Sequence, residues 1–160
     1  MKEIQLSTTG KNKGKYIALV DDEDYEYLNQ WKWYALRGGN TFHVVRNNGS
    51  RHPQGKIWMH RVILKPLPNM TIDHIDHNGL NNQKSNLRVC TKAQNLCNIK
   101  PRGKLKYLGV SMCYGKYRAQ IRHNNKVRHL GMFDTEIEAA QAYDRAALEL
   151  HGEFTNLNFK

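Results

Sequence analysis

The stretch from Tyr107 to Gly152 leaves the backbone the fewest choices. Tyr107–Met112, Tyr117–Arg122 and Lys126–Phe133 are strand-like segments separated by Tyr114-Gly115 and Asn124-Asn125. Short connections of this composition join antiparallel strands, because their residues tolerate the positive φ that such turns demand. Within the middle segment Tyr117, Ala119 and Ile121 share one face, and Arg118, Gln120 and Arg122 the other. Thr135-Glu136-Ile137-Glu138 then has the form of a capping box. Ile137, Ala140, Tyr143, Ala147 and Leu150 follow at helical spacing until Gly152 closes the helix. We therefore expect a three-stranded antiparallel sheet packed on one helix, with small alanines allowing close approach. The opposite face would present Lys116, Arg118, Arg122, Lys126 and Arg128, with no acid between Leu105 and Phe133. Guanidiniums and an amide in such an array suit phosphates and base edges.

Charge points the same way. The chain carries +11 with a pI near 9.7. Residues 51–100 hold eight basic and two acidic side chains and residues 101–160 ten and six, against seven and six in residues 1–50. A positive field over the middle and the C-terminal third favours a polyanionic partner.

The middle of the chain carries the chemistry. Ile57–Leu64 has helix-compatible apolar spacing, places His60 and Arg61 near the front of the basic segment, and is stopped by Pro66-Leu67-Pro68. Thr71–Ile75 reads as a strand, His77–Ser85 as an asparagine-rich loop and Leu87–Cys90 as the returning strand. The capping-box pattern Thr91-Lys92-Ala93-Gln94 predicts a helix running to about Ile99. The result is a ββα unit. Asp73 and, on the helix, Asn95 offer oxygen ligands suited to a hard divalent cation such as Mg²⁺ or Mn²⁺. His74 is the group able to take a proton from water near neutral pH. Pro101-Arg102-Gly103-Lys104 reads as a linker.

Residues 1–56 read as a β-rich leader. Tyr16–Val20 is a strand, Asp21-Asp22-Glu23-Asp24 supplies the cap and first-turn acids of a helix to about Leu28, and Trp31–Leu36 with Thr41–Arg46 forms a hairpin. Three cysteines without paired spacing argue against a disulfide framework and against a structural zinc site. Met1–Gly10 is too polar for a signal peptide and no apolar run reaches membrane-spanning length. A soluble, intracellular protein with reduced thiols is expected.

Asp73-His74-Ile75-Asp76, Asn81-Asn82, Asn86-Leu87-Arg88 and Asn95 resemble the HNH motif of phage and intron-encoded homing endonucleases. Tyr107-Leu108-Gly109-Val110, Gly115-Lys116-Tyr117, Ala119-Gln120-Ile121-Arg122, Leu130–Thr135, Glu138-Ala139-Ala140, Ala142-Tyr143-Asp144 and Leu157-Asn158-Phe159 resemble the plant APETALA-type (ethylene-response-factor) DNA-binding domain. The first resemblance implies a general base at His74, one divalent cation held by Asp73 and Asn95, and an Asn86 that braces the loop across the ββ hairpin. It also implies a phage or bacterial host cell. Asparagine stands at position 95 where the motif often has histidine, which favours Mg²⁺ or Mn²⁺ over Zn²⁺. The second resemblance implies duplex-DNA contacts by Lys116, Arg118, Arg122, Lys126, Arg128 and His129, the last standing where an aromatic is expected. Leu108, Ser111 and Cys113 replace arginines common in the plant proteins, so sequence preference does not carry over. His60, Arg61 and Arg88 are expected at phosphates beside the cut.

The expectation is thus an α+β protein: a β-rich region over 1–56, a ββα-metal HNH unit over 57–100, a linker over 101–104, and an APETALA-type domain over 105–160. Its activity would be metal-dependent hydrolysis of duplex DNA, nicking for a monomer and double-strand cleavage for a dimer or by sequential nicks. The rival readings are a non-catalytic DNA-binding or regulatory protein with a degenerate nuclease unit, and an RNA-binding or RNA-cleaving protein.

Overall fold

The structure, a computed structural model, describes residues 1–6, 14–49, 55–98, 100 and 106–159. The expected linker over 101–104 lies outside them. The chain divides into two compact units, Met1–Lys92 and Ala93–Lys160. Both mix helix with small antiparallel sheets.

The first unit begins with β1 (Lys2–Leu6) paired to β2 (Tyr16–Val20). Polar Lys2, Glu3 and Gln5 mask the strand signal of β1, yet Ile4 and Leu6 alternate with them and are buried. Then come α1 (Asp22–Leu28), β3 (Tyr34–Gly38), β4 (Thr41–Asn47), β5 (Lys56–Trp58) and α2 (Met59–Leu64). The segment expected as one helix from Ile57 starts as the third strand of the β3-β4-β5 sheet and turns helical only at Met59. The hairpin β6 (Thr71–His74) and β7 (Leu87–Cys90) closes the unit, with a 3₁₀ turn at Lys84–Asn86 before β7.

One apolar core spans this unit. Ile4, Leu6, Ala18, Val20, Leu28, Trp33 and Val44 from the N-terminal region enclose Met59, with Ile57, Val62, Ile63 and Leu80 packed around them. The Trp33 indole N–H donates to the Leu28 carbonyl at 2.8 Å, so the largest core residue is also satisfied.

Strand β2 also grips the asparagine-rich loop. Leu19 N donates to Leu80 O at 2.9 Å and Asn82 N to Leu19 O at 2.8 Å. Asp21, expected to cap α1, makes no side-chain cap there. Its carboxylate instead accepts Lys84 N at 2.7 Å and Gln83 Nε2 at 3.3 Å, at the head of the 3₁₀ turn. Lys84 in turn pairs with Glu23 and Asp24.

In the second unit β8 (Val110–Cys113), β9 (Lys116–His123) and β10 (Lys126–Phe133) form the sheet, and α4 (Glu136–His151) covers it. Both turns have two positive-φ residues, Tyr114-Gly115 (48° and 76°) and Asn124-Asn125 (48° and 61°). That is the primed geometry matching the twist of the strands. Thr135 and Glu138 cap α4 reciprocally. Ala139, Ala142, Ala146 and Ala147 are buried against Ala119, Ile121 and Leu108, and Tyr143 closes over Gly109. A Cβ at Gly109 would fall 1.9 Å from Tyr143 Cδ2, so this position takes glycine for space as well as for its φ of 71°. Ile137, counted with the apolar stripe, is 52% exposed at the first turn.

The helix expected from Thr91 to Ile99 is a single turn, α3 (Lys92–Asn95). Leu96 is exposed, so no apolar stripe holds a longer one, and short helices do not persist on start signals alone. Among the described residues no helix is long and apolar enough to cross a membrane. The three cysteines are free thiols.

Candidate active site

Strand β6 delivers its last two residues into an enclosed corner. Asp73 and His74 are each 6% exposed. In the antiparallel register Asp73 faces Arg88 and His74 faces Leu87. The Arg88 guanidinium approaches one carboxylate oxygen of Asp73, Nη2 at 2.6 Å and Nε at 2.8 Å from Oδ2.

His74 is flanked by two further imidazoles. His60, from α2, lies 5.2 Å away between ring centroids, and His43, from β4, lies 5.7 Å away. Burial first, and then the charge of His43, push the His74 pKa down to about 4. A hydrogen bond to Asn82 and the carboxylates of Asp76 and Asp73 pull in the opposite direction. His60 is pushed lower still, to about 3, by burial and then by His74, His43 and Arg61. Burial also lowers His43. At neutral pH all three rings are uncharged.

The loop after β6 is fastened by asparagines. Asn86 Nδ2 donates to Asp76 Oδ1 and to Asn81 O, both at 2.9 Å, while its Oδ1 accepts Asp76 N at 3.0 Å and its carbonyl accepts Ile75 N at 2.9 Å. Asn81 Nδ2 holds the other oxygen of Asp76 at 2.9 Å. Burial pushes the Asp76 carboxyl up, but the Asn78 N–H, Asn81, Asn86 and His74 outweigh it and hold the group below its ordinary value. Asn82 is fully buried, its Nδ2 donating to Leu80 O at 3.2 Å. Gly79 lies against His43; a Cβ there would come 2.6 Å from Nδ1 and 2.4 Å from Phe42 O.

The residues expected from sequence fall into three groups. Asp73, His74, Asn86 and Arg88 come together around the β6–β7 hairpin. Asn95 ends α3 and belongs to the second compact unit. His60, expected at a phosphate, is instead buried beside His74 and neutral, with no charge to offer an anion. Arg61 donates from Nη1 to Met70 O at 3.2 Å, tying α2 to the turn before β6. Asn82, one of the motif residues, lies against His74. His43 was not expected, because a histidine in a hairpin does not announce a contact 31 residues away.

On the C-terminal sheet, register decides which cations share a face. Arg122 pairs with Val127, Gln120 with His129 and Arg118 with Met132, so these six occupy the face opposite Ala119 and Ile121. Lys116 alternates onto the same face and pairs with Asp134 at 2.9 Å. Arg118 Nε donates to Ser111 Oγ at 3.2 Å. Lys126 and Arg128 were expected here, but they pair with His123 and Ile121 and so point to the helix side. Arg128 lies 4.0 Å from Glu149 of α4.

Residues 58–97 match the family described as HNH endonuclease. Over 97% of its length the chain is 32% identical to an uncharacterised HNH endonuclease of Acanthamoeba polyphaga mimivirus, 81% of which it covers. The C-terminal region is similar to plant proteins. It is 43% identical over 63 residues to APETALA2-like protein 2 of Oryza sativa subsp. indica, and 51% identical over 57 residues to the ethylene-responsive transcription factor FZP of Oryza sativa subsp. japonica. Those stretches are 37% and 34% of this chain but only 14% and 18% of the plant proteins. No solved structure matches.

Proposed function

Because the chain belongs to the HNH endonuclease family, we propose that it is a divalent-metal-dependent DNA endonuclease with its reacting groups at the end of β6. The observation that carries this reading is the adjacency of Asp73 and His74, a buried carboxylate beside a neutral imidazole. His74 is the general base. Its unprotonated ring takes the proton of a water whose oxygen attacks phosphorus, and the P–O3′ bond breaks with its electron pair going to the 3′ oxygen. Asn82, Asp76 and Asp73 all favour the charged ring and so offset part of the burial that keeps it neutral beforehand. Asn86 positions the loop rather than reacting, since its carboxamide is spent on Asp76 and Asn81.

The residues fit the divalent cation that the family uses. The Asp73 carboxylate already holds a positive group, the Arg88 guanidinium, against a hard oxygen. Asp73 would be a ligand, with Arg88 released toward a phosphate. When bound there, the cation would supply Lewis-acid polarisation of the phosphoryl oxygen and charge stabilisation for the leaving 3′ oxygen.

The C-terminal sheet is the DNA anchor. Arg118, Gln120, Arg122 and His129 on its open face are the contacts we assign, with Lys116 at the margin. One site per chain makes a nick the product of a monomer.

The deciding experiment is cleavage of supercoiled plasmid with Mg²⁺, with Mn²⁺ and with EDTA, wild type beside His74→Ala. Metal-dependent open circle or linear product, lost in the variant, supports the reading. Equal cleavage by His74→Ala removes the assigned base. A gel shift without product under any metal, repeated on DNA from the native host region, returns the chain to a DNA-binding protein with a degenerate nuclease unit.

A further inference from the structure

His43, His60 and His74 come from three separate elements, and one ring nitrogen of each lies within 4.8 Å of the other two. The Nδ1 atoms of His43 and His60 are buried with no hydrogen-bond partner among the described residues. Leaving such a nitrogen unsatisfied costs on the order of 1–3 kcal/mol, and both rings belong to this cluster. Gly79 lies against His43 Nδ1, where any larger residue would collide with the ring. Asp73, the nearest carboxylate in sequence, is engaged by Arg88. The cluster therefore offers three imidazole nitrogens.

We infer that His43, His60 and His74 form a three-imidazole site for a borderline transition-metal ion, Zn²⁺ foremost, distinct from the carboxylate site at Asp73. Imidazole nitrogen suits Zn²⁺, Co²⁺ or Ni²⁺ and serves Mg²⁺ poorly. Zn–N bonds of about 2.0–2.1 Å put tetrahedral ligands about 3.3 Å apart, so ring shifts of about 1 Å close the site. Three protein ligands leave the fourth position to water or a phosphate oxygen. The rings are already in the neutral form that binds metal. Cysteine spacing gave no zinc signature. Histidines at positions 43, 60 and 74 give none either, because only the tertiary fold joins them. If His74 is the base, as proposed above, an ion here occupies the lone pair that would receive the proton of water. Zn²⁺ would then arrest cleavage that Mg²⁺ supports.

The test uses the full chain, stripped with EDTA, dialysed, and titrated with Zn²⁺ by calorimetry and with Co²⁺ by visible absorption. One ion per chain is expected, with a cobalt spectrum free of thiolate charge transfer, which excludes Cys90, Cys97 and Cys113 as ligands. His43→Ala and His60→Gln should each weaken Zn²⁺ by more than about 100-fold, while Asp73→Asn retains it. Absence of saturable Zn²⁺ binding, binding unchanged in His43→Ala, or loss in a folded Asp73→Asn would overturn the site. The wild-type cobalt spectrum decides even where His60→Gln fails to fold. None of these readouts depends on cleavage, so a chain without nuclease activity leaves the binding result standing.

Discussion

Arg88 closes on Asp73 through two nitrogens, Nη2 at 2.6 Å and Nε at 2.8 Å from the same carboxylate oxygen. Their side chains are only 14% and 7% exposed. Removing one member of such a pair strands a buried charge, at a cost of about 3–5 kcal/mol. Arg88→Met is therefore expected to unfold at markedly lower urea concentration in EDTA. Mn²⁺ should restore much of that loss by taking the place of the guanidinium, and should stabilise wild type less, because there Arg88 must first be displaced. Urea midpoints of both proteins with and without Mn²⁺ check this. The same Mn²⁺ response in both would take Asp73 out of the ligand set.

Asn86 separates positioning from chemistry. It is 7% exposed and joins Ile75, Asp76 and Asn81 by four hydrogen bonds. Asn86→Ala removes the three hydrogen bonds made by its carboxamide, at about 0.5–1.5 kcal/mol each, and frees the loop that follows His74. We expect at least a tenfold fall in single-turnover cleavage rate, about 1.4 kcal/mol of transition-state stabilisation, with DNA affinity unchanged. A cleavage rate equal to wild type would show that the loop does not set the position of His74.

Asp21 ties the N-terminal region to that loop. Its carboxylate accepts the backbone N–H of Lys84 at 2.7 Å, the role of a cap at the head of the 3₁₀ turn. Asp21→Ala should cost about 1 kcal/mol and raise the amide exchange rates of Lys84 and Asn86. Asp22→Ala, one residue along and exposed, is the control and should leave those amides unchanged. Faster exchange confined to α1 in Asp21→Ala would mean that the carboxylate caps the helix instead.

What could be read in advance was local. Asn124-Asn125 and Tyr114-Gly115 announce their turns because few residues accept positive φ, and Thr135 with Glu138 announces α4 because the cap is made within four residues. Asp73-His74 and Asn86 lie on one hairpin, so their juxtaposition follows from the strands that carry them. His43 was not legible, since nothing near it in sequence points to β6 or α2. Asp21 resembled a helix cap in composition and was claimed by a partner 63 residues away. Lys126 and Arg128 resembled the other sheet cations until register assigned their face. The boundary of α3 failed for a different reason: a start signal was present, but Leu96 had nothing to pack against.

The imidazole cluster gives the fold an acid limit. His60 and His74 are held at about 3 and 4, against 6.5 for an open ring, mainly by burial. The groups facing His60 are His74, His43 and Arg61, all of which oppose its protonation. Below about pH 6.5 the unfolded chain takes up protons that the folded chain refuses, so stability falls with falling pH. It is fully present above 6.5 and is lost progressively toward pH 4 and below. Tm measured from pH 8 to about 4.5 should be level and then decline, with a shallower decline in His60→Gln. An unaltered slope in that variant would assign the acid sensitivity to other groups.

Arg122 and Arg128 give the sharpest test of the anchor, because they are six residues apart on neighbouring strands yet point to opposite faces. Arg122 pairs with Val127 on the open face, whereas Arg128 pairs with Ile121, whose side chain is buried under α4, and lies near Glu149. A phosphate-contacting arginine contributes about one unit to the slope of log K against log salt. Arg122→Gln should therefore weaken duplex binding and reduce that slope by about 1. Arg128→Gln removes the same formal charge and should leave the slope close to wild type. Fluorescence anisotropy over a salt series, with both variants and one labelled duplex, makes the comparison at constant net charge. Equal losses in the two variants would mean that overall charge, rather than the open face of the sheet, holds the DNA.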